Sequence, residues 1–178
     1  MPKYERLVEQ EGLERWLLPE LLAKIAVNEM KDGKGVFFLG NTGCGKTRRL
    51  RLISEQLLIP MWDSMQLINE LRRNDTKDHF IDVCNLPVYG NCSMHHYDFI
   101  IDDLGVEARE SNTYGNRRDI MEEVLYERYK CFPRNKTHFS SNLTEEAIAQ
   151  SYGERIYSRL CEMCVFITVP GEDRRRQK

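Results

Sequence analysis

The segment Gly40-Asn41-Thr42-Gly43-Cys44-Gly45-Lys46-Thr47 fits the pattern G-x-x-x-x-G-K-S/T, and its flanks fit too. The apolar run Val36-Phe37-Phe38-Leu39 precedes it, and a helix-forming stretch from Arg48 to Leu58 follows. A strand that turns through a glycine-rich loop into a helix is the setting in which this pattern has a physical meaning. Small residues let backbone N–H groups turn inward around a phosphate, and the helix start adds partial positive charge. Lys46 can then reach the β- and γ-phosphates of a nucleotide such as ATP, and the Thr47 hydroxyl can ligate Mg²⁺. Residues 40–47, with Arg48, are the predicted nucleotide cradle.

A length of 178 residues suits one domain of ordinary size, and 41% hydrophobic residues argue against disorder. A formal net charge of −2 gives no whole-chain sign of nucleic-acid binding, although a local basic stripe is compatible with it. Met1-Pro2-Lys3-Tyr4-Glu5-Arg6 does not read as a signal peptide, and no apolar run is long enough for a bilayer, so the expectation is a cytoplasmic chain with no membrane partner. The six cysteines are read as thiols, because a disulfide at Cys44 would obstruct phosphate access. Cys161-x-x-Cys164 resembles half a zinc knuckle or a redox pair, and Cys84 and Cys92 with His95 and His96 could close a zinc site, but neither spacing matches a common pattern; buried thiols are the simpler reading.

Apolar spacing predicts a helix over residues 13–31 and helices over 48–58 and 64–73, the last with Met65, Leu67, Ile68 and Leu71 available for packing. Further helices are expected at 119–131, 144–152 (capped by Thr144) and 154–162, with strands at 36–39, 59–62, 99–101, 137–141 and 165–169. Residues 74–96 read as a polar loop with a brief helical or extended piece, and residues 105–116 as a polar loop. Strands alternating with helices imply an α/β fold: a P-loop NTPase with three α/β/α layers, a mostly parallel five-stranded sheet, and ligands at the carboxyl ends of the strands. Residues 1–33 are the expected helical lead-in and 34–178 the ATPase domain.

Phe99-Ile100-Ile101-Asp102-Asp103-Leu104-Gly105 is an apolar strand ending in two carboxylates, a Walker B arrangement. Asp102 can hold Mg²⁺ through a water while Asp103 orients the attacking water. Successive residues of a strand point oppositely, so the two acids take different roles. The phosphate loop and the acids are expected on neighbouring strands. Asn142, after the strand 137–141, can hydrogen-bond the attacking water or the γ-phosphate, or it can cap the next helix. Arg155 and Arg159 share a helical face and can meet a neighbouring subunit's phosphates, or pair with Glu154 and Glu162.

Together these residues resemble the AAA+ ATPases of the DnaC-type helicase-loader and IstB-type transposition-helper group. Besides Gly40 to Thr47 and Phe99 to Gly105, the resemblance is carried by His138-Phe139-Ser140-Ser141-Asn142-Leu143-Thr144, by Tyr152-Gly153-Glu154-Arg155-Ile156-Tyr157-Ser158-Arg159-Leu160 and by the helix Leu67 to Arg73. The resemblance implies an AAA+ core with an abbreviated lid, Asn142 as sensor 1, Arg159 as an arginine finger acting in trans with Arg155 in support, and Arg174 or Arg175 as sensor 2. It also implies a homo-oligomeric ATPase whose partner is single-stranded DNA, a replicative helicase or a transposase. Only about thirty residues precede the phosphate-loop strand, room for one helix rather than a separate helicase-gripping domain.

Two other functions fit the motifs. A small-molecule P-loop kinase can use Arg48, Arg49 and Arg51 to hold an acceptor phosphate, and an ATP-gated adaptor with little turnover needs only the nucleotide site.

Overall fold

The computed structural model describes residues 33–86, 97–107, 112–113, 116–117 and 119–171. In chain order the elements are β1 (Gly35–Leu39), α1 (Lys46–Leu57), β2 (Met61–Asp63), α2 (Ser64–Arg73), α3 (Lys77–Val83), β3 (Phe99–Asp102), β4 (Asn112–Thr113), β5 (Asn116–Arg117), α4 (Ile120–Cys131), β6 (Thr137–Ser141), α5 (Glu145–Tyr152), α6 (Glu154–Met163) and β7 (Cys164–Thr168). The predicted helix over 13–31 and the arginines at 174 and 175 lie outside the described residues.

Five strands form one sheet in the order β2-β3-β6-β1-β7, and every neighbouring pair is parallel. The expectation that the phosphate-loop strand and the acid strand are neighbours is corrected here, because β6 lies between β1 and β3. Apolar runs of similar composition do not encode their own order in a sheet, and that order decides what separates the loop from the acids. The intervening strand ends in Ser140, Ser141 and then Asn142, so polar side chains occupy the gap.

Alternation along the strands makes two apolar layers. Val36, Phe38, Ile100 and Ile167 pack with Leu50, Ile53 and Leu57 of α1. On the other face, Phe37, Leu39, Phe99, Ile101 and Phe139 pack with residues of α2, α4, α5 and α6, and Phe80 and Ile81 of α3 join them. Phe37 is in register with Phe139 on one side and Phe166 on the other. Its ring centroid lies 5.2 Å and 4.7 Å from theirs, an aromatic ladder across three strands. Gly35 is required by close approach, since a Cβ there would meet the Thr137 carbonyl at 1.8 Å.

Local chemistry sets the helix starts. Asp63 caps α2 by accepting from the Met65 and Gln66 amides, Asp119 caps α4 through the Glu122 amide, and Thr144 caps α5 through the Ala147 amide. Met65 and the loop after Gly105 depart from the sequence expectations, whereas the brief helical piece allowed for in residues 74–96 is present. Met65 is exposed, because the buried stripe of α2 is Ser64, Leu67, Ile68 and Leu71. The polar stretch after Asn74 contains α3, started by the Thr76 side chain, and the loop after Gly105 contains the antiparallel β4–β5 ladder. No helix among the described residues is long and apolar enough to cross a membrane.

The amino ends of the strands are tied by a buried cation. Arg128 of α4 is fully buried and donates to Thr137 Oγ1 (2.9 Å) and to the carbonyls of Cys84 (3.4 Å), Asn85 (3.0 Å), Tyr97 (2.8 Å) and Lys136 (3.0 Å). It also lies over the Phe99 ring at 5.3 Å. One guanidinium thus joins the end of α3 to the segments entering β3 and β6. Beside it, the Lys136 amide donates to Asp98 Oδ1 at 2.8 Å.

Candidate nucleotide site

At the carboxyl ends of the strands the backbone turns back on itself around Lys46. Gly40, Gly43 and Gly45 all have positive φ, at 145°, 80° and 98°. Gly40 is restricted further, because a Cβ there would meet the Val169 carbonyl at 2.7 Å and the Cys44 sulfur at 3.1 Å. The helix that follows begins at Lys46 with no side-chain cap, unlike α2, α4 and α5. Its first amides are therefore left for another acceptor. The loop is held from below by Arg49, whose guanidinium turns inward and donates to the Cys44 carbonyl at 3.1 Å.

Lys46 is only 4% exposed. Its ammonium donates to the carbonyls of Gly40 (2.8 Å) and Asn41 (3.0 Å) and to Asn142 Oδ1 (2.7 Å). These three oxygen acceptors match the three donors of an ammonium, and the Cys44 sulfur lies further off at 3.9 Å. Thr47 follows, half-buried in the first turn of α1, and Arg48 is exposed.

The two acids are placed by serines. Asp102 closes β3 in register with Asp63 of β2, and its Oδ1 accepts a short hydrogen bond from Ser140 Oγ. The same Oγ accepts from the Asp103 amide at 3.0 Å. Ser64 Oγ donates to the Asp103 carbonyl at 2.8 Å, and the Leu104 amide donates to the Ser140 carbonyl at 2.8 Å. These contacts hold Asp103 at φ 54°, a left-handed conformation that costs a non-glycine residue about 1–2 kcal/mol. The turn separates the carboxylates: Asp102 is buried, whereas Asp103 is half-exposed and its Oδ1 accepts from Asn142 Nδ2 at 3.4 Å.

Asn142 joins the two halves. Its amide oxygen meets Lys46 and, at 3.5 Å, the Thr42 hydroxyl, and its amide nitrogen meets Asp103. The alternative of a helix cap is excluded, because Thr144 caps α5. Ser140 and Asn142 are two residues apart on β6 and its continuation, so a period of two was the available signal for Ser140. Ser64 and Glu107 carried no such signal. Glu107 is buried, accepts from the Gly105 amide at 2.8 Å, and takes a short hydrogen bond from the Tyr152 hydroxyl.

Arg159 is not brought to this cluster. It lies on α6, in the layer opposite α1, with its guanidinium over the rings of Tyr126 (4.6 Å) and Tyr129 (5.0 Å) of α4. Arg155 is exposed on the same helix. The described cysteines are thiols, whereas Cys92, His95 and His96 lie outside the described residues. Cys44, Cys84, Cys131, Cys161 and Cys164 are free, burial pushes the Cys84 thiol up to about 12, and burial also raises Cys164. Cys161 is exposed while Cys164 is buried against the Thr137 carbonyl, so that pair does not face one metal. Among the described residues no cluster of three or more His, Cys, Asp or Glu side chains offers a metal site.

No family model and no curated protein matches this chain. Solved structures do. The crystal structure of the DnaC helicase loader superposes with a TM-score of 0.60 at 18% identity, covering 96% of this chain and 100% of that one. AMPPCP-bound DnaA from Aquifex aeolicus gives a TM-score of 0.57 at 16% identity, covering 99% of this chain and 52% of that one. The likeness is one of fold: this chain shares the parallel α/β architecture of both structures.

Proposed function

We propose that this chain is a Mg²⁺-dependent AAA+ ATPase that assembles with copies of itself and acts on DNA or on a DNA-processing partner. The observation that carries this reading is the Lys46–Asn142–Asp103 bridge, at 2.7 Å and 3.4 Å. It links the residue that would meet the γ-phosphate to the carboxylate that would face the attacking water.

In the proposed reaction the loop amides of residues 40–45 and the open start of α1 take the phosphates of ATP. Lys46 exchanges its bonds to the Gly40 and Asn41 carbonyls for phosphate oxygens. Asp103 accepts a hydrogen bond from water and orients it in line, while the Asn142 amide nitrogen holds Asp103 and its oxygen holds Lys46. Thr47 and Asp102 offer the hard oxygen donors that suit Mg²⁺, and Ser140 fixes one Asp102 oxygen, so the residues present fit that ion. Bound there, Mg²⁺ neutralises charge on the phosphates. Arg48 and the arginines at 174 and 175 are further candidates for phosphate contact. Arg159 lies in the layer opposite α1, which suits supply to a neighbour's nucleotide rather than its own, and would make turnover depend on assembly.

The client is proposed by likeness: the DnaC structure is of a helicase loader, so single-stranded DNA, a replicative helicase or a transposase are the partners to test. A metabolite kinase is less well supported, because Arg49, one of three arginines available for an acceptor phosphate, is turned into the loop. The test is phosphate release from ATP by the purified chain, with and without single-stranded oligonucleotide, alongside the Lys46→Ala variant. Turnover that rises with DNA and disappears in the variant supports the proposal. Turnover unaffected by Lys46→Ala refutes the site, and ATP binding without phosphate release supports the adaptor.

A further inference from the structure

Arg159 is held in an unusual way for a helix-surface arginine. Glu162, three residues along α6, is the carboxylate placed to neutralise it. Instead Glu162 Oε2 accepts the Tyr129 hydroxyl at 2.7 Å. Tyr129 and Tyr126, three residues apart on α4, contact Arg159 through their rings. Among the described residues no hydrogen bond or ion pair takes an Arg159 donor. Contact through aromatic faces stabilises the charge but leaves the in-plane N–H donors uncommitted. The neighbouring cation Lys130 also lies over the Tyr126 ring, at 4.5 Å, but it differs from Arg159 in being paired with an acid as well, Glu127 at 2.7 Å.

We propose that Tyr126 and Tyr129 are positioning residues that keep the Arg159 guanidinium ordered and clear of carboxylates, with its N–H edge ready for the phosphates of a nucleotide bound to a second copy of this chain. This rests on the reading of Arg159 as a residue supplied between copies. Tyr129 acts twice: its ring braces the guanidinium, and its hydroxyl occupies the acid that would otherwise capture it. That hydrogen bond to Glu162 also raises the Tyr129 phenol above its ordinary value, so the hydroxyl stays protonated as the donor. Tyr126 is 38% exposed, which leaves its contact with Arg159 open to an approaching partner.

The test confines each change to a subunit whose own site is already inactive. Asp103→Asn chains, which keep Arg159, are mixed with Arg159→Ala chains, which keep the catalytic acid, and recovered ATP turnover is measured. The Asp103→Asn donor should restore turnover. Adding Tyr126→Leu to that donor should lower the recovery about threefold to tenfold, the range expected for loss of one cation–π contact. Adding Tyr129→Phe should lower it too, by freeing Glu162, and Glu162→Gln in the same donor should bring it back. That reversal would not follow from a merely structural role, and it carries the test if Tyr126→Leu impairs folding. If the tyrosine donors rescue as well as Asp103→Asn alone, the positioning role is wrong while the finger stands. If Asp103→Asn gives no rescue at all, Arg159 does not act between copies, and the positioning role falls with it.

Discussion

Two buried cations sit at opposite ends of the same sheet. Arg128, at the amino ends of the strands, gives its donors to four backbone carbonyls and a buried hydroxyl. Lys46, at the carboxyl ends, is 4% exposed yet shares its ammonium between two loop carbonyls and the exposed Asn142. Burial pushes the Arg128 guanidinium below its usual range, with Cys131 and Asp98 opposing that shift. The difference teaches that a buried charge does not mark a functional site. What matters is whether its partners can let go. The Arg128 acceptors are anchored at the end of α3 and where β3 and β6 begin, whereas those of Lys46 belong to a glycine-rich turn and a surface amide.

Breaking the closed end should have the largest effect. Arg128→Leu strands several buried acceptors, and a stability loss of about 3–5 kcal/mol is expected in denaturant unfolding. Lys46→Ala should cost only about 1 kcal/mol in the same measurement while removing ATP turnover. Comparable losses of stability in the two variants would erase the contrast between the ends. Next comes Asn142→Ala at the open end. It should lower turnover about 100-fold, with ATP affinity changed less than about threefold, if the amide acts mainly in the transition state. An equal loss in affinity would reduce it to a ground-state contact.

A smaller effect sharpens the picture of the closed end. His138 is fully buried on β6, its Nδ1 accepts from the Val36 amide at 3.2 Å, and burial lowers its pKa from 6.5 to about 4. Between those values the unfolded chain binds a proton that the folded chain does not. Stability should therefore fall as the pH drops through that window, by about 2 kcal/mol from pH 7 to pH 5. His138→Asn, which keeps an acceptor for Val36, should remove that slope in unfolding curves, and a slope left intact would place the titration elsewhere.

Much of this fold was legible in the residues themselves. The apolar runs marked the strands of the large sheet, Thr144 marked the start of α5, and the glycine-rich turn and paired acids marked the ends of β1 and β3. Strand order was not legible, because the runs are alike in composition and β6 inserts between the two motif strands. Arg128 was hidden for a related reason. Between Glu127 and Lys130 it resembles any surface arginine of a charged helix, and only long-range packing buries it. The serines that seat the acids were silent too, since a hydroxyl acquires its role only when another strand delivers a partner, as Ser64 and Ser140 do around Asp103. For Asn142 both a cap and a contact to the attacking water or the γ-phosphate fitted the spacing; Thr144 takes the cap, and the bridge from Lys46 to Asp103 was not foreseen.

The most direct measurement is a crystal structure of the full chain with Mg²⁺ and a non-hydrolysable ATP analogue. The account predicts phosphates inside the loop of residues 40–45, Lys46 moved from the Gly40 and Asn41 carbonyls onto them, and Asn142 still bridging towards Asp103. Nucleotide bound elsewhere, or Lys46 unmoved with the phosphates outside its reach, would contradict it.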